Sequence, residues 1–392
     1  MLSRRHLRIK VFQALYSLQS AREADYEMAL DFIAEAFKPD LNSMLPQDAK
    51  QLEAFREAAF KLLEKSHRKG DLERDDQTPA PVYVTAKNAL MQFQKRVKED
   101  QSRLERRLIP EVESIYDTYL FVLQVFMELS GLSKIERDRQ YEDFDGPKLE
   151  RLSGFDTNRV VMALKESKVL EAEIIRKGIG WNDEKNTFVR QLFRDIFRND
   201  ETYRAYCAQM PSTHSEADDQ TLMEHAFKNV LFKNKETVEF LEKLDLYWNE
   251  TSDIVRKMTQ KTLKSINESG ELELVPLTDS WEDDQFFMEE LFKKTIEQDQ
   301  EFEEIIAEPL KNWDVDRLAS TDNLILKMAL AEMMTFSGIP TKVTINEAIE
   351  LAKEYSTPKS GKFVNGILDT VSKSLIKDGK IRKSGRGLMD NK

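Results

Sequence analysis

Cysteine is nearly absent from this chain. The single thiol, Cys207, excludes an intramolecular disulfide framework, and fourteen methionines beside it suit a reducing compartment. Turn and helix breakers are scarce: thirteen glycines and eleven prolines are spread over 392 residues. Alternating runs of β-branched residues between turn signals are almost missing, which argues against sheets. Histidine occurs only as His6, His67, His214 and His225, scattered and never at metal-ligand spacing. No apolar stretch approaches the roughly 20 residues needed to span a bilayer, and the strongest, Tyr119–Leu129, falls far short. The basic opening leads into a helix carrying Gln13, Tyr16 and Gln19 instead of a signal-peptide apolar run. The chain is therefore expected in the cytoplasm, without a membrane partner.

What is present is helix-forming. Charged residues make up 33% and hydrophobic residues 40%, rich in Glu, Lys, Leu, Gln, Met and Ala. These straight side chains lose little rotamer freedom in a helix, so an all-α fold is expected. Apolar periodicity predicts helices over Ser3–Ser20 and Tyr26–Phe37, then long charged ones over 47–65 and 82–107. Pro110 is placed to open an apolar helix over 111–130, and residues 131–156 read as a solvated connection. Further helices are expected at 159–177, 188–198, 200–209, 218–232 and 236–266. A polar hinge follows over 267–284, then helices near 285–298, 301–311, 322–337, 345–355 and 362–376. The segment Phe188–Phe197 resembles Phe287–Ile296, with aromatics following at Tyr203 and Phe302. Generic amphipathy and a degenerate second copy of the C-terminal bundle both account for that likeness.

The formal net charge is −12, but its distribution is uneven. Arg4, Arg5, Arg8 and Lys10 open the chain without an acid, and the tail after Ile376 is basic. Between Trp281 and Glu308 stand eleven acids and two lysines. Basic ends on an acidic body permit nucleic-acid contact at the ends. No catalytic constellation accompanies them. Ser360-Gly361-Lys362 imitates the end of a phosphate loop, but Ser356 and Phe363 stand where it needs Gly and a hydroxyl. Asp143-Phe144-Asp145-Gly146 fails as a calcium loop, because Tyr141 and Leu152 replace its terminal carboxylates. The chain is read as no enzyme, with no cofactor and no metal.

Two ends carry the signal that remains. Arg4 and Arg8 lie one turn apart, with Arg5 beside them, at a helix start where guanidinium forks and free amides favour phosphate. Near the other end, Thr344-Ile-Asn-Glu347 reads as a capping box opening a helix with Ile345, Ala348, Ile349 and Ala352 on its apolar stripe. Val364, Ile367, Leu368 and Val371 face the core from the last helix, and Gly366 there is expected to mark tight packing. Lys362 beside Phe363 is a workable platform for a splayed base, while Phe363 as plain core is the competing reading.

The segments Arg4–Tyr16, Ile339–Lys353 and Lys362–Asp369, with Asp322–Met334 ahead of Pro340, resemble the NusB family in content and order. That resemblance implies a pair of helical bundles formed from residues 1–37 and 281–378, with 38–280 as a large inserted helical region. Residues 379–392 would be a basic, disordered tail. It also implies a factor of transcription antitermination that binds boxA-type single-stranded leader RNA of ribosomal RNA operons together with NusE, a small-subunit ribosomal protein, in the RNA polymerase antitermination complex. By position, Arg4, Arg5, Arg8, Tyr16, Lys362 and Phe363 match the family's RNA face, and Asp322 its NusE contact. Lys359, where relatives carry an acidic or small residue, is a departure that adds positive charge. The role of the insert is not implied. One alternative is a helical scaffold docking ribosomal proteins, with RNA binding secondary or lost. The other is an RNA methyltransferase, which would need a cofactor loop and a nucleophilic Cys207.

Overall fold

A computed structural model describes the chain except residues 1, 41, 43–45, 68–69, 73–76, 143–151, 267–268, 311–318 and 392. Among the described residues every regular element is helical and none is a strand, as expected. In order the helices are α1 (Arg4–Ala36), α2 (Ala49–His67), α3 (Ala80–Glu142), α4 (Arg159–Glu166), α5 (Lys168–Lys177), α6 (Asp183–Gln191) and α7 (Glu201–Cys207). They continue as α8 (Glu216–His225), α9 (Lys235–Leu244), α10 (Trp248–Ser265), α11 (Trp281–Glu297), α12 (Asp299–Ala307), α13 (Ser320–Thr335), α14 (Thr341–Tyr355) and α15 (Ser360–Lys377). The chain divides into two compact units. One comprises residues 4–109 with 282–392, the other residues 1–3 with 110–281.

In the first unit, α1 is one helix of 33 residues where two were expected. The intervening Ala21-Arg-Glu-Ala24 contains good helix formers and no breaker. Its first half buries Leu7, Val11, Phe12, Leu15 and Leu18, and its second half buries Ala29 and Ile33. The latter join Leu63 of α2 and Ala86, Leu90 and Phe93 of α3 in a separate core. Residues 38–109 thus group with the two terminal parts. Helix α13 is buried nearly all round, and α14 and α15 complete the bundle with Ala348, Ala352, Val364 and Leu368.

Local details depart from expectation for identifiable reasons. Helix α14 begins at Thr341 behind Pro340, so Thr344 is interior instead of a cap. Its hydroxyl donates to Glu332 at 2.7 Å. A Cβ on Gly366 would meet nothing within 4 Å, so tight packing is not its reason. The close approach lies at Gly361, where a Cβ would stand 3.2 Å from Lys353 Cγ. The tail is also placed. Lys383 Nζ donates to the carbonyls of Met333 and Phe336 at 2.9 and 3.0 Å, satisfying the end of α13. A Cβ on Gly387 would lie 2.0 Å from Ser337 O, so only glycine fits there.

The second unit holds the apolar half of α3. That helix runs 63 residues without a break at Pro110, where one was expected, and continues past residue 131 into the expected connection. A proline inside a helix costs about 3 kcal/mol, and here it stands where one unit gives way to the other. Asp143–Gly146 lies outside the described residues. Phe155, Phe197 and Tyr203 form an aromatic chain, with centroids 4.8 and 4.3 Å apart. The expected helix over 236–266 is interrupted because Asp245 accepts the Tyr247 amide at 2.8 Å and the Thr251 hydroxyl at 2.5 Å. Wide π-type turns occupy Leu192–Ile196 and Ala226–Leu231.

The helical order of residues 183–265 repeats that of 281–377. Continuous helical backbone over 183–199 matches α11, α7 matches α12, and 216–231 matches α13. Helix α9 then matches α14, and α10 matches α15, both of 18 residues.

Candidate nucleic-acid interface

The expected residues all lie in the first unit, on α1, α13 and α15. Arg4 and Arg5 occupy the first turn of α1, with side chains 41% and 49% exposed. Arg4 lies 4.6 Å over the Phe287 ring, with Nε 3.5 Å from Asp284. Arg5 donates from Nε and Nη2 to the Glu347 carboxylate at 2.9 and 3.3 Å. That hydrogen bond raises the Arg5 pKa above its ordinary value, so its charge is permanent. Both side chains keep part of their surface open to solvent.

Arg8 is placed differently. Its side chain is 5% exposed and holds the Glu332 carboxylate through Nε and Nη2 at 2.7 and 2.8 Å. Thr344 adds a third donor to Glu332, Glu347 stands 3.9 Å from Nη1, and the Phe287 ring lies 5.4 Å away. The fork that was expected on RNA is occupied inside the protein. Arg8 therefore fixes how α1 sits on α13 and α14, and holds Arg4 and Arg5 in position. Sequence reading missed Glu332, although one acid inside the apolar run Leu324–Met334 signals a buried cation.

Tyr16 is 45% exposed and stacks on Phe12 at 6.2 Å, and Phe12 meets Tyr355 at 5.1 Å. Arg5 holding Glu347 and Phe12 touching Tyr355 show α1 lying along α14 in the same direction. The entry to α15 follows directly after Tyr355. Lys359 and Lys362 are exposed there, and Phe363 is half-buried. Tyr16 thus lies one turn beyond the Phe12 that meets Tyr355 at the end of α14, whereas Arg5 meets α14 near its middle, at Glu347, and Arg4 lies against α11. Tyr355 was not foreseen, since one Tyr at a helix end carries no pattern.

Asp322 is 6% exposed in the first turn of α13. Its Oδ2 accepts the Ser360 hydroxyl at 2.8 Å, which ties the start of α13 to the start of α15. Oδ1 is buried and has no hydrogen-bond partner among the described residues. Asp322 thus orients the α15 entry from beneath. No group of His, Cys, Asp and Glu among the described residues could hold a metal. No described helix is long and apolar enough to cross a membrane. Burial pushes the Cys207 thiol up to about 11, so little nucleophilic thiolate exists near neutrality.

Comparison with known proteins bears on the same region. The NusB family model matches residues 253–373. This stretch is similar to the NusB family. The transcription antitermination protein NusB of Salinibacter ruber is 45% identical over 103 residues, covering 26% of this chain and 64% of its own length. NusB of Chloroherpeton thalassium is 44% identical over 104 residues, 26% of this chain and 49% of its own length. The chain thus spans less than two thirds of these relatives. Among solved structures, T. maritima NusB is 25% identical, covering 41% of this chain and 94% of its own, with a TM-score of 0.24. The matched stretch begins inside α10 and runs through α11 to most of α15, and so includes Lys362, Phe363, Asp322, Glu332 and Glu347.

Proposed function

We propose that this protein is a non-enzymatic transcription antitermination factor whose first unit binds boxA-type single-stranded RNA of ribosomal RNA operons, together with NusE, within the RNA polymerase antitermination complex. The observation that supports this most is the surface along α1 and α14. Part-exposed Arg4 and exposed Arg5 stand at the start of α1, exposed Tyr16 lies about three to four turns along it, and exposed Lys359 and Lys362 follow the end of α14. Phosphates would be held by the cations, while Tyr16 and the exposed edge of Phe363 offer faces for unpaired bases. Arg8 and Asp322 act through others: Arg8 positions α1, and Asp322 positions the α15 entry that would meet both RNA and NusE.

The test is fluorescence anisotropy of a labelled boxA-like RNA against salt concentration. Each phosphate contact removed should lower the salt slope by about 0.7 for a single strand. The Arg4→Ala, Arg5→Ala, Lys362→Ala triple variant should therefore bind more weakly and lose about two units of slope. Unchanged affinity and slope would remove this surface as the RNA site. NusE is expected to raise RNA affinity, and purely additive binding would count against the joint complex.

A further inference from the structure

The second unit contains a groove of about 580 Å³ between α6 and α9. Its floor is a stacked pair, Phe188 and Phe240, with centroids 4.0 Å apart and planes inclined by 3°. Asp183, Glu184, Glu236 and Glu239 line it, against Lys243. These carboxylates are exposed, and among the described residues Glu239 pairs only with Lys235, at 3.3 Å on its own helix. Phe121 of α3 meets Phe240 at 5.9 Å, which covers that ring and leaves the acidic rim open. The negative rim repels nucleic acid and attracts cations.

The repeated helical order shows what such a groove holds. Aligning 183–199 with α11 pairs Phe188 with Phe287, Leu192 with Leu291 and Phe193 with Phe292, all buried. Aligning α9 with α14 pairs Glu239 with Glu347 and Glu242 with Glu350, and beyond α9 it pairs Tyr247 with Tyr355. The counterpart of the groove is therefore the space between Phe287 and Glu347. That space is filled by arginine: Arg8 lies 5.4 Å from the Phe287 ring and 3.9 Å from Glu347, and Arg4 covers the same ring at 4.6 Å. We infer that residues 183–265 are a second copy of the C-terminal bundle, and that their open groove docks a helix of a partner protein carrying arginines one turn apart. The guanidinium planes would lie against Phe188, and the forks would reach Glu236 and Glu239.

The chain's own α1 start supplies the probe. A fluorescein-labelled peptide of residues 3–20 is titrated with the full-length protein and followed by anisotropy. Saturable binding is expected, weakened about tenfold or more when Arg4, Arg5 and Arg8 of the peptide become Gln. The Glu236→Lys, Glu239→Lys chain should lose binding about tenfold or more, and Asp183→Lys with Glu184→Lys should act in the same direction. All four positions are exposed, so folding is retained, as circular dichroism would verify. Three results overturn the inference: no saturable binding, equal binding of the Gln peptide, or loss with Glu347→Gln but not with the groove variants. The last would place the peptide in the α1 seat. RNA affinity tests the proposed function separately, because none of the groove residues belongs to the first unit.

Discussion

The C-terminal and central bundles run through the same order of helices and resolve their buried polar groups in different ways. In the C-terminal bundle a carboxylate inside the core, Glu332, is neutralised by a cation from a distant part of the chain, Arg8. In the central bundle the buried Asp219 is served by the Tyr206 hydroxyl and by Arg159 of α4. The Tyr206 hydroxyl donates at 2.5 Å, and both the Arg159 amide and its guanidinium Nε lie 3.4 Å from the carboxylate. The first solution binds the N-terminal helix into the bundle and sets its arginines at the surface. The second draws its cation from α4, and no arginine lines the groove between α6 and α9. One architecture thus serves in one place as a socket already filled and in the other as a socket open to solvent.

The sharpest way to break this comparison is to empty the filled socket. Arg8→Ala leaves Glu332 buried with Thr344 as its remaining side-chain donor, and removing one partner of a buried pair costs about 3–5 kcal/mol. Thermal unfolding should show that loss in the first unit, whereas Arg5→Ala, which removes a half-exposed pair, should cost about 1 kcal/mol or less. Equal effects of the two changes would refute the distinction between a positioning arginine and a surface one. In the central bundle, Tyr206→Phe should cost about 1–3 kcal/mol, since Asp219 loses its shortest donor while the ring keeps its 3.8 Å stacking on His214. A neutral result would mean that the local solution does not depend on that hydroxyl.

How much of this was legible follows from where each interaction lies in sequence. Helices came through because the apolar period is local, and the three segments that resemble NusB already marked the bundle's edge. The length of α1 and the passage of α3 through Pro110 did not, because packing along a helix outweighs one missing amide. The cationic start of α1 was visible, but the partition between Arg4 and Arg5 outside and Arg8 inside was not. It depends on Glu332, 324 positions away. Thr344 was misread as a cap for the same reason, since its hydroxyl serves that carboxylate. The likeness of 188–197 to 287–296 was readable as letters. Its meaning needed the matching order of the helices that follow.

The smallest effect concerns a charge that neither bundle neutralises fully. Asp117, on the apolar half of α3, has a pKa raised above its ordinary value, chiefly by burial. Lys177 opposes the shift and Glu113 adds to it. Its Oδ1 has no hydrogen-bond partner among the described residues. A carboxyl with a raised folded-state pKa binds its proton more tightly in the folded chain. The resulting stability is fully present below the unfolded value of 3.8 and is lost as pH rises through the folded pKa. At neutral pH the ionised group therefore works against folding. Asp117→Asn removes the charge with little change of shape, so the variant should unfold at a higher temperature than the parent near pH 7, by less than about 1 kcal/mol. That advantage should shrink on acidification and vanish below the unfolded value, where the parent's own carboxyl is protonated. Calorimetric melts of both chains across that range decide it: a gain that persists unchanged at low pH would show that packing, and not the charge, separates them.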